Sequence, residues 1–327
     1  MDMKDYIYSV VERILDGGEI TYEECIKLIN IDENDIGALE VLYKGANKIR
    51  ESFAGKKADL CTIMNVKSGK CSEDCKYCAQ SVHYSTGVNE YSLLDYDKIL
   101  ERALEMESKG AHRFSLVTSG KGVSKGDLDR LADIYRKLSQ QTKLKICASH
   151  GIITYEQAKR LKEAGVTMYH HNIETSREYY SKICTTHTYE DRIDTIKNVT
   201  AAGMDICCGG IIGMGETEED RVNMILEIRN LGVHSIPVNV LNPIKGTPLE
   251  TSKPLTPSEI LKTMAIYRFV IPTAFIRYAG GRKALGHKQN IGFRAGVNAA
   301  LAGDYLTTVG NNIEYDREMI LNEGLEV

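Results

Sequence analysis

The residues best suited to chemistry are Cys71, Cys75 and Cys78, in the run Cys71-Ser-Glu-Asp-Cys75-Lys-Tyr-Cys78. The C-x-x-x-C-x-x-C spacing puts three thiols on one short loop. Three thiolates can hold three irons of a cubane cluster and leave the fourth iron open to another ligand. Zinc is the competing reading, because a closed structural zinc site needs four ligands and His83 follows the run closely. Zinc loops are more often built from C-x-x-C pairs on separate segments, so the compact run favours a cluster.

Six further cysteines complete a set of nine. Cys207 and Cys208 are adjacent, whereas Cys25, Cys61, Cys147 and Cys184 are dispersed. The odd number, with no secretion signal at the start of the sequence, argues against a disulfide scaffold. Clustered cysteines then point to metal or redox chemistry. Cys25 and Cys61 lack cluster spacing and read as structural. A net charge of −4 gives no reason to expect nucleic acid or an acidic membrane as partner. No apolar run is long enough to span a bilayer. These features lead us to expect a soluble, cytoplasmic protein.

The elements that must position these residues are also written in the sequence. Residues 1–55 read as a helical extension. Val10, Val11, Ile14 and Leu15 share an apolar face, and Thr21 with Glu24 forms a capping box. This extension is expected to cover one end of the fold built by the later residues. From about residue 60, helices end at Gly110, Gly165, Gly203 and Gly232, and apolar strands begin directly after them. The long first interval leaves room for an extra strand in KLKICASHG. Thr154 with Gln157, and Thr256-Pro257 with Glu259, mark further helix starts. Strands are predicted near residues 60, 112, 144, 166, 204, 235, 274 and 297. Eight is the number that closes a parallel barrel, although a partial barrel of six strands also fits. The expected architecture is an α/β fold, a (β/α)8 TIM-type barrel over 60–310, within one domain over 1–327.

In GGIIGMGET, Gly209, Gly210, Gly213 and Gly215 allow close backbone approach. The alternatives are a ligand cradle at a barrel strand end and a plain turn before a helix capped by Thr217. The spacing is not the dinucleotide fingerprint.

A C-x-x-x-C-x-x-C loop after the first strand of such a barrel resembles the radical S-adenosylmethionine superfamily. That resemblance implies a [4Fe-4S] cluster on Cys71, Cys75 and Cys78 whose open iron binds S-adenosylmethionine and yields a 5′-deoxyadenosyl radical. It also implies that Tyr77 lies beside the adenine, where simple packing is the alternative. The segments CSEDCKYCAQS, YHHNIETSREYY, TTHTYEDRIDTI, CCGGIIGMGETEEDR, IPVNVLNPIKGTPL and FIRYAGGR resemble the biotin synthase family over about residues 45 to 310. The implied reaction is sulfur insertion into dethiobiotin, using two S-adenosylmethionine molecules and sulfur from an auxiliary cluster. The resemblance implies ribose contacts from Asn172 and Glu174, adenine contacts from Ile211 and the Gly209-Gly210 stretch, and substrate contacts from His170 and Asn239. Family positions usually filled by asparagine and aspartate hold His170 and Glu174 here. Strand alternation suggests that either His170 or His171 faces the helix layer.

The family's auxiliary [2Fe-2S] cluster uses three cysteines and an arginine. Cys147, Cys207 and Arg277 match, but the third cysteine position holds Ser115. Serine is a harder ligand than a thiolate and is difficult to deprotonate. The expectation is therefore a different auxiliary cluster, with a four-iron type in view, drawing on Cys147, Cys184, Cys207 and Cys208. Cys207 and Cys208 can both ligate only if the strand ends or bulges there. The alternative is that some of these thiols are small buried apolar groups. Other readings are a related radical enzyme of the hydrogenase-maturation or methylornithine type, and a non-catalytic cluster carrier. Family resemblance further implies a homodimer and an electron donor such as flavodoxin or ferredoxin.

Overall fold

Side-chain caps start most of the longer helices, as the sequence suggests. The computed structural model describes residues 2–303 and 312–327, so the expected barrel boundary at 310 lies outside the described residues. Three helices come first: α1 (Met3–Leu15), α2 (Tyr22–Ile29) and α3 (Ile36–Ala54). Strands and helices then alternate: β1 (Asp59–Lys67), α4 (Tyr96–Ser108), β2 (Arg113–Thr118), α5 (Lys125–Gln141), β3 (Lys145–Ser149), α6 (Tyr155–Glu163) and β4 (Met168–His170). Next come α7 (Arg177–Tyr180), α8 (Tyr189–Ala201), β5 (Asp205–Cys207), β6 (Gly210–Ile212), α9 (Glu218–Asn230), β7 (Ser235–Val240) and α10 (Pro257–Val270). The chain continues through β8 (Phe275–Tyr278), α11 (Gln289–Phe293), β9 (Ala299–Ala302) and α12 (Ile313–Asn322). Capping boxes at Thr21, Thr154, Thr217 and Thr256 are all formed. Gly110, Gly165, Gly203 and Gly232 take positive φ at helix ends, where a side chain would strain the backbone.

The strands run parallel in the order β5-β4-β3-β2-β1-β9-β8-β7-β6, and a β5–β7 pairing closes the ring. β5 and β6 share one position, interrupted at Cys208 and Gly209. The result is a closed (β/α)8 barrel with eight strand positions, as expected. Added as a Cβ, a side chain at Gly209 would lie 1.9 Å from the Pro237 carbonyl oxygen. Glycine is therefore required where the interrupted strand passes β7.

The helical extension does not cover a barrel end. It packs on the flank, with α3 against α10 and α2 against both α9 and α10. The reason lies in α10, whose residues from Ile260 to Val270 are all buried. A helix buried all round needs cover on its outer side as well as its barrel side, and Lys262 reaches into that cover to donate to the Ile31 carbonyl at 2.8 Å. Among the described residues, no helix is long and apolar enough to cross a membrane.

Candidate active site

The triplet loop follows β1 at the C-terminal end of the strands, where barrel active sites are built. Its backbone is pinned: Cys71 N–H donates to the Gln80 carbonyl at 2.9 Å, and Val82 N–H to the Cys71 carbonyl at 2.8 Å. Burial raises the Cys71 thiol and pushes Cys78 up to about 11. Cys75 is raised by its contact with Cys184 and by burial. Only an electropositive partner such as iron would hold all three as thiolates. His83 instead turns Nε2 to the Ser72 carbonyl, 3.0 Å away, so the zinc alternative gains no fourth ligand from it.

Asp74, inside the triplet, ties this loop to the one after α7. Its carboxylate accepts from the backbone N–H and hydroxyl of both Thr185 and Thr186. Cys184 stands in the same loop, its sulfur 3.7 Å from that of Cys75 and 3.2 Å from His187 Nδ1. Hydrogen bonding from Cys75, then from His187 and Thr186, lowers the Cys184 thiol against the cost of burial. His187 also contacts the Glu73 carboxylate at 2.6 Å. Cys75, Cys184 and His187 are, among the described residues, the one trio of metal-binding side chains whose ligand atoms all lie within 4.8 Å of one another. The expected grouping of Cys184 with Cys147 and Cys207 is not formed, because the loop carrying Cys184 lies above the barrel.

Below the triplet opens a cavity of about 290 Å³. His170, His171, Asn172, Glu174, Arg192, Asn239 and Arg277 all line it. Asn172 is held on both sides of its amide: Oδ1 accepts from Gly209 N–H at 3.1 Å, and Nδ2 donates to Glu174 at 3.3 Å. Glu174 has φ +68, an uncommon conformation for a non-glycine residue and typical of functional sites. Buried Arg192 donates to the Asn172 carbonyl at 2.9 Å and lies 3.6 Å from the Glu174 carboxylate. Tyr77 is half-buried within electrostatic reach of Glu174 and Arg192. Asn239 bridges β6 and β8, donating to the Gly210 carbonyl and accepting from Gly280 N–H. Both His170 and His171 line the cavity. The expected turn of one toward the helices fails because β4 ends at His170, and alternation ends with it. Burial, then Arg277 and Arg113, brings His170 down to about 3, which keeps it neutral.

The glycine-rich stretch is organised by the protein itself. Glu216, buried, accepts from the N–H groups of Gly213 and Met214 at 2.7 Å and from Arg221. A Cβ on Gly210 would meet the Glu174 carbonyl at 2.4 Å. The close approaches at Gly209 and Gly210 are thus to neighbouring backbone. Ile211 is partly exposed, and its N–H donates to the Glu174 carbonyl at 2.8 Å.

One layer deeper lie the interior thiols. Cys147 and Cys207 form a small buried group with Met168. Cys208 points the other way, into the main core, so it does not join them. Although the strand is interrupted at Cys208 and Gly209, Cys208 still points to the face opposite Cys207. In their place the structure brings Cys61, on β1, into electrostatic contact with Cys147, Cys207 and Arg277. Burial pushes the Cys61 thiol up to about 12. Ser115 faces the same space, and its hydroxyl has no hydrogen-bond partner among the described residues. Arg277 donates to the Asp59 carboxylate, and its Nε has no partner among the described residues. Burial opposes the Asp59 charge, but Arg277, His112 and Arg113 hold its carboxyl far below the usual range. A buried guanidinium with an open nitrogen, three thiols and an orphaned hydroxyl fit an iron–sulfur group better than a sealed core.

The model of the Radical SAM superfamily matches residues 65–228, and that of the Biotin and Thiamin Synthesis associated domain matches 237–326. The single closed sheet runs through both. The chain is 59% identical to a biotin synthase of Clostridioides difficile (strain 630), covering 99% of this chain and 100% of that one. It is 56% identical to a biotin synthase of Acetivibrio thermocellus, over 99% and 100%. Among solved structures, methylornithine synthase (PylB) superposes with a TM-score of 0.84 at 18% identity, over 97% of this chain and 96% of that one. The hydrogenase maturase HydG from Carboxydothermus hydrogenoformans gives 0.82 at 17%, over 98% and 79%. Those two likenesses speak to the fold, whereas the sequence identities speak to the activity. The chain belongs to the biotin synthases, radical SAM enzymes that insert sulfur into dethiobiotin with a [4Fe-4S] cluster, S-adenosylmethionine and an auxiliary iron–sulfur cluster.

Proposed function

We propose that Cys61, Cys147 and Cys207, with Arg277, hold the auxiliary cluster, and that Cys61 supplies the thiolate that Ser115 cannot. The observation carrying this is the convergence of these four buried side chains at the base of the cavity, which Cys207 and Arg277 line. Cys71, Cys75 and Cys78 hold the first cluster. When bound, the two clusters and S-adenosylmethionine supply the hydrogen-abstracting radical and the sulfur. The chain's own residues position the reactants. Asn172 and Glu174 are placed to accept ribose hydroxyls, with Tyr77 and Ile211 near the adenine. Gly209 and Gly210 fix the backbone on which Asn172 and Asn239 are held. Neutral His170 and Asn239 face dethiobiotin between the two cluster sites. Cys184 and Cys208 stand outside the auxiliary ligand set.

On family likeness alone, we read the protein as a cytoplasmic homodimer that takes electrons from a flavodoxin or ferredoxin. Closure of one sheet across both matched segments supports a single domain over 1–327, with 1–55 as a flanking extension.

Anaerobic reconstitution followed by iron and sulfide counts tests the ligand set. The wild type should hold about four irons for the first cluster plus about two to four more. Cys61→Ala should keep only the first four, and Cys208→Ala should keep all. Cys61→Ala in a Ser115→Cys background should regain the second set. Full iron content in Cys61→Ala alone overturns the assignment.

A further inference from the structure

Two cavities enter the barrel from opposite ends, and the thiol layer lies between them. The lower one, of about 750 Å³, opens at the N-terminal end of the strands. Three strands show the same vertical sequence of inward-facing residues, which recur every second position. On β1, Asp59 lines the lower cavity, Cys61 lies in the layer and Ile63 lines the upper cavity. On β2 the order is Arg113, Ser115, Val117, and on β3 it is Lys145, Cys147, Ser149. The layer is thus one side chain deep. Its floor is the ion pair of Asp59 with Arg277 and Arg113.

This lower end is open because the helical extension packs on the flank. Its lining is basic: Lys57, Arg113, Lys143 and Lys145 face Asp59, Glu107 and Glu326. Asp59 pairs with Arg113, and with Arg277 of the layer, which leaves Lys57, Lys143 and Lys145 against Glu107 and Glu326, a small excess of positive charge. The remaining field favours a small anion.

Each product removes a sulfur atom from the auxiliary site, so sulfur must return. From above, the route runs through the space where S-adenosylmethionine and dethiobiotin bind. We propose that the lower cavity binds hydrosulfide and passes it to the thiol layer, resupplying sulfur from beneath. The proposal rests on the auxiliary ligand set argued above. The uptake is ligand addition: hydrosulfide gives its proton to solvent and enters as sulfide, with no change in oxidation state.

The test uses full-length holoenzyme that has completed one round with dethiobiotin. It is then given isotope-labelled sodium sulfide, and protein-bound label is followed in time. The variant Lys57→Glu/Lys143→Glu/Lys145→Glu should perform the first round at the wild-type rate. Its label uptake should slow by at least about tenfold, as expected when charge steering is reversed. Ala111→Trp narrows the same mouth without changing charge and should also slow uptake, which decides the matter if the triple variant folds poorly. Uptake at the wild-type rate in a well-folded variant overturns the route, and so does a wild type that takes up no label. A resting holoenzyme with only about four irons instead overturns the ligand set beneath it.

Discussion

Glu174 combines a strained backbone, a buried carboxylate and two polar neighbours, which suits its proposed role as a binding residue held ready before its ligand arrives. Glu174→Gln keeps the shape and removes the charge. The expected result is a rise in KM for S-adenosylmethionine of about 10- to 100-fold, from the loss of a charge-assisted hydrogen bond, with kcat changed far less. An equal fall in kcat would place the carboxylate in the chemical step instead. At this scale the triplet, Asn172, Glu174, His170, Asn239 and Arg277 could all be named from the sequence. Cys61 could not, because its partners come from other strands and only the closed ring brings them near. Local spacing carries information about loops, such as Cys71 to Cys78, and little about ligands collected from separate strands. Arg192 was hidden for a different reason. It sits on a helix, in TTHTYEDR, where a charged residue ordinarily faces solvent.

Among the elements, the joint between the triplet loop and the loop after α7 matters most for the first cluster. One carboxylate, Asp74, satisfies four donors on Thr185 and Thr186. Asp74→Ala should leave the fold intact and let the triplet loop open. Iron from the first cluster should then be lost to a chelator several-fold faster than in the wild type, while the auxiliary iron leaves at its usual rate. Parallel loss of both sets would indicate general unfolding. The strands and helices themselves were readable, because caps and helix-ending glycines act locally. Thr154-Gln157 and Thr256-Glu259 formed the boxes that their spacing predicts. The break between β5 and β6 was half visible: the Gly-Gly pair signalled irregular backbone, but its cause lies on β7, at the Pro237 carbonyl.

For the whole molecule, the position of α1 to α3 departs most from expectation. Sequence periodicity shows that each of these helices has an apolar face, but not which partner it meets. The answer is carried by α10, which is buried on every side and therefore requires a second layer. Removing residues 1–55 should expose that helix and give a chain that aggregates on expression, measurable by light scattering. A truncated chain that stays monodisperse and binds iron normally would show the extension to be dispensable. The pairing of Asp59 with Arg277 joins residues 218 positions apart in the sequence. The triplet loop needs only neighbours up to about α8, all made earlier on the ribosome. The thiol layer needs β8, and the ring closes only when β9 docks beside β1. With the proposed ligand sets, biogenesis is expected to have a built-in order: the residues for the radical-generating centre are all made early, whereas those for the sulfur-donating centre are complete only when synthesis is nearly finished.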